Sequence, residues 1–210
     1  MGEDDARDGF ARLGGHLALD FANTVDWRRR DCPVELLPSY ERFLAWAQGA
    51  GLVDGRGAEA LQRRANERPV EARTALARAW ELREAIYGTA TAVTRGEIPP
   101  PAALETLGTA ARAAARQRDL VYRAGRFDWA WPALTADLAA PLARTASEAV
   151  ALLLSPDVRR IRQCADDACG WLFLDRSRNH SRRWCSMSAC GNRAKGRRFR
   201  ARRSSPSAAG

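Results

Sequence analysis

CADDACGWLFLDRSRNHSRRWCSMSACGNRAKGRRFRARR, residues 164–203, holds four of the chain's five cysteines. They fall in two pairs of equal spacing, Cys164-x4-Cys169 and Cys185-x4-Cys190, with fifteen residues between the pairs. A structural zinc ion takes four such ligands in a tetrahedron, at about 2.3 Å from each sulfur. Two cysteines on one tight knuckle can fill two corners, and a second knuckle the other two. Gly170 and Gly191 each follow the second cysteine of a pair, where a knuckle needs a residue free of Cβ strain. Two disulfides or buried free thiols are the alternative. Composition favours metal: the segment's apolar residues are Ile161, Trp171, Leu172, Phe173, Leu174, Trp184 and Phe199, too few to fold so charged a segment without a staple. The expected cofactor is therefore a structural Zn2+ whose coordination is closed to water. Cys32, in RRRDCPVE, lies outside this set and reads as structural or exposed. His180 and His16 are available donors, but four cysteines already fill the tetrahedron.

Between the pairs, WLFLD (171–175) reads as a strand and RSRN as a turn, with RRW (182–184) returning as the partner strand. Asp175 and Ser177 read as hydrogen bonders of that turn, and Trp171 and Trp184 as the small core. The second pair opens a helix, because GNRAKGRRFRARR has no β-branched residue; Gly196 weakens it by up to about 1 kcal/mol relative to Ala. This order of knuckle, hairpin, knuckle and helix is treble-clef-like. Along the helix, Arg193, Arg197 and Arg200 share a face, Lys195, Arg198 and Arg202 form a neighbouring stripe, and Phe199 is expected to pack on the finger.

Charge follows the same division. The net charge is +9, yet residues 1–157 balance to −2 and residues 158–210 to +11. A near-neutral body with a cationic end points to a polyanionic partner for that end alone. No apolar run of about 18 residues is present, so no membrane span is expected. MGEDDARDGF lacks the apolar core of a signal peptide. A cytoplasmic location follows.

Upstream, GHLALDFANTV alternates Leu17, Leu19 and Phe21 against Ala18, Asp20 and Ala22, the pattern of a half-buried strand ended by Asn23 and Thr24. Helices are expected from Ser39 to about Gly49, near Ala58–Asn66, from Pro69 to Gly96, and over Ala102–Arg116. LVYRAGRFDWAW reads as a hairpin turning at Ala124-Gly125. A last helix ends near Leu154, with Pro141 marking a kink or a late start. The fold class is a mainly α domain with a small β-sheet (α+β), followed by a treble-clef-like four-cysteine zinc finger. Its expected divisions are a mobile arm at 1–12, the larger domain at 13–155, the finger at 156–203 and a disordered tail at 204–210.

The residues Cys164, Cys169-Gly170, Phe173, Asp175, Ser177, Asn179, Arg183-Trp184-Cys185-Ser186-Met187, Cys190-Gly191-Asn192-Arg193 and Lys195 closely resemble the CGNR zinc-finger family. LALDFANTV is similar to the start of the ABATE-type domain, a mostly helical module that precedes this finger. The resemblance implies a bacterial stress-induced transcription regulator, nucleoid-associated, with DNA as partner.

In that reading Arg182, Arg183, Asn192, Arg193, Lys195, Arg197, Arg198, Arg200, Arg202 and Arg203 face nucleic acid, most of them on phosphate. Asn192 or Arg193 are candidates for base contacts; a capping role beside the knuckle is the other reading of Asn192. The larger domain exceeds what a finger needs, so a small-molecule effector and a homodimer are further expected partners. A pocket is expected at Asp20, Asn23 and Thr24, with Trp27, Tyr122, Trp129 and Trp131 as walls; turn hydrogen bonds and core packing are the other reading of these residues. The rival function is an RNA-binding or ribosome-associated zinc protein, since a basic finger serves RNA equally well. An enzyme is not expected: no HExxH, nucleophile elbow, P-loop or dinucleotide-binding glycine motif is present, so no catalytic residue is assigned.

Overall fold

Pro69 opens the longest helix, where its missing N–H costs nothing and its fixed φ suits the first turn. Ala72, Leu76, Ala79, Leu82, Ile86 and Ala90 then recur at helical spacing and are all buried, and Gly96, at φ 67°, closes the helix. Around it the computed structural model describes residues 9–131 and 137–204, with side chains described as far as 201. The order is α1 (Leu17–Ala22), β1 (Val25–Asp26), β2 (Val34–Glu35), α2 (Tyr40–Gly49), α3 (Gly55–Glu67), α4 (Pro69–Arg95), α5 (Pro101–Ala115), β3 (Asp119–Arg123), β4 (Arg126–Ala130), α6 (Ala140–Leu154), β5 (Ile161–Gln163), β6 (Leu172–Leu174) and α7 (Asn192–Ser204). The strands pair antiparallel in three two-stranded sheets, β1–β2, β3–β4 and β5–β6. Ser39 caps α2 by accepting from the Arg42 N–H, and Pro141 lies in the first turn of α6, which starts late rather than kinking.

Three local expectations change. LALDFA is a helix, not a strand: the His16 ring nitrogen accepts from the Ala18 N–H and caps it, and Ala18, Leu19, Phe21 and Ala22 are all buried against α4 and α6. With both sides of the segment covered, an alternating pattern carries no information about period. β6 pairs with the upstream Ile161–Gln163 rather than with Arg182–Trp184. Of the arm expected at 1–12, residues 9–12 are described and Phe10 is buried beneath the Arg42 guanidinium, so this part is held. The rest of the arm, and the tail beyond Ser204, lie outside the described residues.

The chain break at Ser155-Pro156 is not a break in packing. Ile161, Leu172 and Leu174 are buried in the same cluster as Phe21, Trp46, Leu76, Ile86 and Leu142. Each such side chain contributes about 1.5–3 kcal/mol. Phe173, between the two leucines, points the other way, into a second cluster formed with the four buried cysteines and Trp171. β6 is thus the wall shared by two cores. The Asn23 carboxamide, at the end of α1, fixes it from the side: Nδ2 donates to the Leu172 carbonyl at 2.9 Å and Oδ1 accepts from the Leu172 N–H at 2.9 Å. Leu174 N–H donates to the Gly14 carbonyl at 2.8 Å.

Asn23→Ala removes both bonds and strands a buried peptide unit, so unfolding free energy by urea denaturation should fall by about 2–4 kcal/mol. Asp20 gives a pH test. Burial pushes its carboxyl from 3.8 up to about 6, against the opposing pull of the Gly14 N–H. A folded pKa above the unfolded one means the folded state holds the proton longer. The contribution of Asp20 to stability is therefore full below about pH 4 and is lost as pH rises toward 6, by about 1–3 kcal/mol. Asp20→Asn should flatten that decline in melting temperature; an unchanged slope would refute it.

Candidate metal centre and basic helix

The first knuckle begins where β5 ends. Cys164 donates its N–H to the Trp171 carbonyl, and the Cys169 N–H returns to the Asp166 carbonyl. Gly170 then turns at φ 78°, and a Cβ there would lie 3.2 Å from Arg28, Arg29 and the Tyr87 hydroxyl, so a side chain is excluded by conformation and by space alike. In the second knuckle Ser186 Oγ accepts from the Ala189 N–H, capping a π turn, Met187–Gly191, that runs straight into α7. At Gly191 a Cβ would meet the Met187 sulfur and lie 3.3 Å from the Trp184 ring, so a side chain there would have to displace the exposed Met187.

The four sulfurs meet in the interior, all within 4.8 Å of one another, with Cys169–Cys185 at 3.6 Å and Cys185–Cys190 at 3.5 Å. A tetrahedron with bonds of about 2.3 Å has edges of about 3.8 Å, whereas a disulfide needs about 2.05 Å. Without a cation these sulfurs cannot all ionise: hydrogen bonds from its neighbours hold the Cys164 thiol well below its ordinary value, and sharing with Cys164 pushes Cys169 and Cys185 above theirs. A divalent ion resolves that conflict. The Cys185 N–H donates to Cys164 Sγ at 3.4 Å and Arg193 Nη2 to Cys190 Sγ at 2.8 Å, as second-layer groups do around a zinc thiolate. The centre holds a structural zinc.

Around it, several of the arginines expected on nucleic acid have partners within the fold, though Arg193 and Arg197 keep 36% and 39% of their side chains exposed. Arg193 Nε lies 3.1 Å from Asp166 Oδ2, and its guanidinium rests 4.6 Å from the Trp27 ring centre. Arg197 reaches Asp166 at 3.5 Å and Asp167 at 3.4 Å. Arg182 stacks 4.3 Å over Phe173 and donates to the carbonyls of Leu13, Trp184 and Cys185. Arg183 lies 5.4 Å over Trp184. Asn192, Lys195, Arg198 and Arg200 are exposed, and Arg200 also lines an open groove of about 530 Å³ beside Asn192, Arg193, Gly196 and Arg197. Arg202 and Arg203 continue the helix; their side chains lie outside the described residues. Phe199 is 61% exposed, while Ala194 on the same helix is buried.

Sequence reasoning missed Asp166. It is fully buried, Oδ1 accepts from the Ala168 N–H, and Oδ2 takes both guanidinia. One signal was available: residues 158–210 contain only three acids, and two of them sit inside the first knuckle. Asp175 accepts from the Ser177 N–H and hydroxyl and from the Arg182 N–H, bonds that hold its carboxyl below the usual range despite burial.

Asp20, Asn23 and Thr24 are occupied by the fold. Asp20 accepts from the Gly14 N–H, Asn23 clamps Leu172, and Thr24 Oγ1 donates to the Phe21 carbonyl and accepts from Arg83. Their neighbourhood serves the finger: Arg28 N–H donates to the Cys169 carbonyl, Trp171 Nε1 to the Val25 carbonyl, and Tyr87 Oη to the Gly170 carbonyl. Trp27 joins this contact zone, while Tyr122 and Trp129 stand on the β3–β4 hairpin, so the expected pocket walls are not gathered at one place. Among the described residues no helix is long and apolar enough to cross a membrane.

Cys185→Ser should abolish stoichiometric zinc by elemental analysis and unfold the segment beyond Ser155. Asp166→Asn, which keeps size but loses charge, should weaken zinc retention about tenfold in a chelator competition; equal retention would remove Asp166 from the metal's support.

Comparison with known families agrees with this geometry. Residues 15–156 match the ABATE model, described as a "putative stress-induced transcription regulator", and residues 160–203 match the CGNR zinc finger. No curated protein matches the chain. Neither family description names a catalytic activity. With its larger part matched throughout and the zinc ligands following in order, the chain belongs to the ABATE family and carries a CGNR zinc finger.

Proposed function

We propose that the chain regulates transcription by laying the outer edge of α7 on duplex DNA, at the bacterial nucleoid. The observation that carries this reading is the division of the helix. Arg193 and Arg197 pair with the buried Asp166, which ties the helix to the zinc knuckle, while Asn192, Lys195 and Arg198 stand exposed without such a tie to the knuckle. An anchored helix with an open cationic edge loses little freedom on meeting phosphates. Lys195 and Arg198 act on the backbone and carry affinity; Asn192, whose amide matches the adenine edge, is the candidate for sequence. Arg193 is reassigned from the DNA to the zinc. An effector bound in the larger domain would act through β6, because α1 and the 24–30 loop hold the finger directly.

The test is fluorescence anisotropy of the zinc-loaded chain on a mixed-sequence duplex and on RNA of matching length, across a salt range. Lys195→Ala with Arg198→Ala should weaken duplex binding and reduce the salt slope by roughly 1–2, with zinc content unchanged. An unaltered slope would take this edge out of the interface. Tighter binding to RNA would favour the RNA reading instead.

A further inference from the structure

The β3–β4 hairpin has its faces reversed. Its register pairs Leu120 with Trp129 and Tyr122 with Phe127, so these four side chains share one face. That face is turned to solvent: Leu120 is 61% exposed, Tyr122 65%, Phe127 72% and Trp129 47%. The Tyr122 and Phe127 rings contact each other, with centres 4.9 Å apart. The opposite face carries Asp119, Arg123, Arg126 and Asp128, and only Val121 and Ala130 on it are half-buried. A one-sided antiparallel sheet in water ordinarily buries its apolar face and exposes its charges. An isolated hairpin is also marginal alone, and this one packs chiefly against itself. Its base is held by Arg118, which donates to Ser147 Oγ on α6 at 3.3 Å and lies 4.0 Å over the Trp129 ring. Four contiguous apolar side chains held open in this way mark an interaction surface rather than ordinary scatter.

We infer that this face is a homodimer interface and that its occupant is the same hairpin of a second copy. Charge argues for that occupant. The two strands carry two arginines and two aspartates and are neutral, and the charge that lies against the apolar face is Arg118, at its base over Trp129 and bonded to Ser147. One engaged guanidinium at the edge offers little to a polyanion such as the one proposed for α7. Shape argues the same way: a twofold axis through the face lays Leu120 and Trp129 of one copy over Tyr122 and Phe127 of the other, and the reverse, so one patch serves both sides. Area is sufficient: side chains of about 150–250 Å², exposed to these fractions, offer on the order of 500 Å² per copy and about 1,000 Å² for the pair, the lower bound for a specific interface. The dimer does not depend on the nucleic-acid reading, though it would present two basic helices at once.

Sedimentation velocity and light scattering of the full zinc-loaded chain, without nucleic acid, test this across about a hundredfold range of concentration. The wild type should run at the mass of two chains. Tyr122→Ser with Phe127→Ser, at exposed positions, should run at the mass of one, with the dimer dissociation constant raised at least about 100-fold and with zinc content and helical circular dichroism unchanged. Asp128→Ser, on the opposite face, should remain dimeric. A wild type monomeric at every concentration, or a double variant that stays dimeric, would overturn the inference. So would a monomer whose tryptophan fluorescence is quenched by single-stranded oligonucleotide, which would make the face a base-stacking platform.

Discussion

Four thiolates around one divalent ion leave excess negative charge inside the protein, and much of the C-terminal architecture answers that constraint. Arg193 supplies the nearest positive charge, on Cys190 Sγ, and the Cys185 N–H points at Cys164 Sγ. A free guanidinium on a surface helix would be a poor counter-ion, because it would swing. Asp166 prevents that by taking Arg193 and Arg197 together from a fully buried position. The first knuckle thereby grips the helix that grows out of the second. Zinc joins the knuckles through sulfur, and the aspartate joins them again through the arginines.

The same economy governs how the finger meets the rest of the chain. β6 has no surplus face: Leu172 and Leu174 serve the helical core and Phe173 the metal core. Its peptide groups are taken by β5, by the Asn23 amide and by the Gly14 carbonyl. The 24–30 loop is steadied from behind, where Arg83 forms a two-pronged pair with Glu35 at 2.6 and 2.7 Å and Arg28 pairs with Glu84 while stacking on Tyr87. Fixed peptide groups of that loop then meet the carbonyls of Ala168 and Cys169.

What could be read from sequence followed physical locality. Pro69, Gly96, Ser39 and the Ala124-Gly125 turn act through their own backbone, so their elements were legible, and the four cysteines were legible through their paired spacing in a segment with too small a core to fold unstapled. LALDFA was misread because a segment buried on both sides gives no periodic signal. The β5 partner of β6 was missed because pairing depends on where the knuckle returns the chain, not on strand composition. Counting positive charge singles out α7 as cationic, but a count cannot separate Arg193 and Arg197, which pair with Asp166, from Lys195 and Arg198, which stand exposed. That separation depends on an acid twenty-seven positions upstream of Arg193. Phe199 was placed by its apolarity, yet it stands 61% exposed while Ala194 on the same helix is buried.

The seam between the two family matches, at residues 157–159, is therefore a boundary of description rather than of matter. Zinc fingers are commonly treated as portable cassettes. Cut free here, this one would bare Ile161, Leu172 and Leu174 and leave the Leu172 peptide group without its amide partner. It would keep its metal ligands but lose the cover over one face of β6. The larger domain covers that face, so grafting this finger elsewhere with its contacts intact means grafting α1 and the 24–30 loop with it.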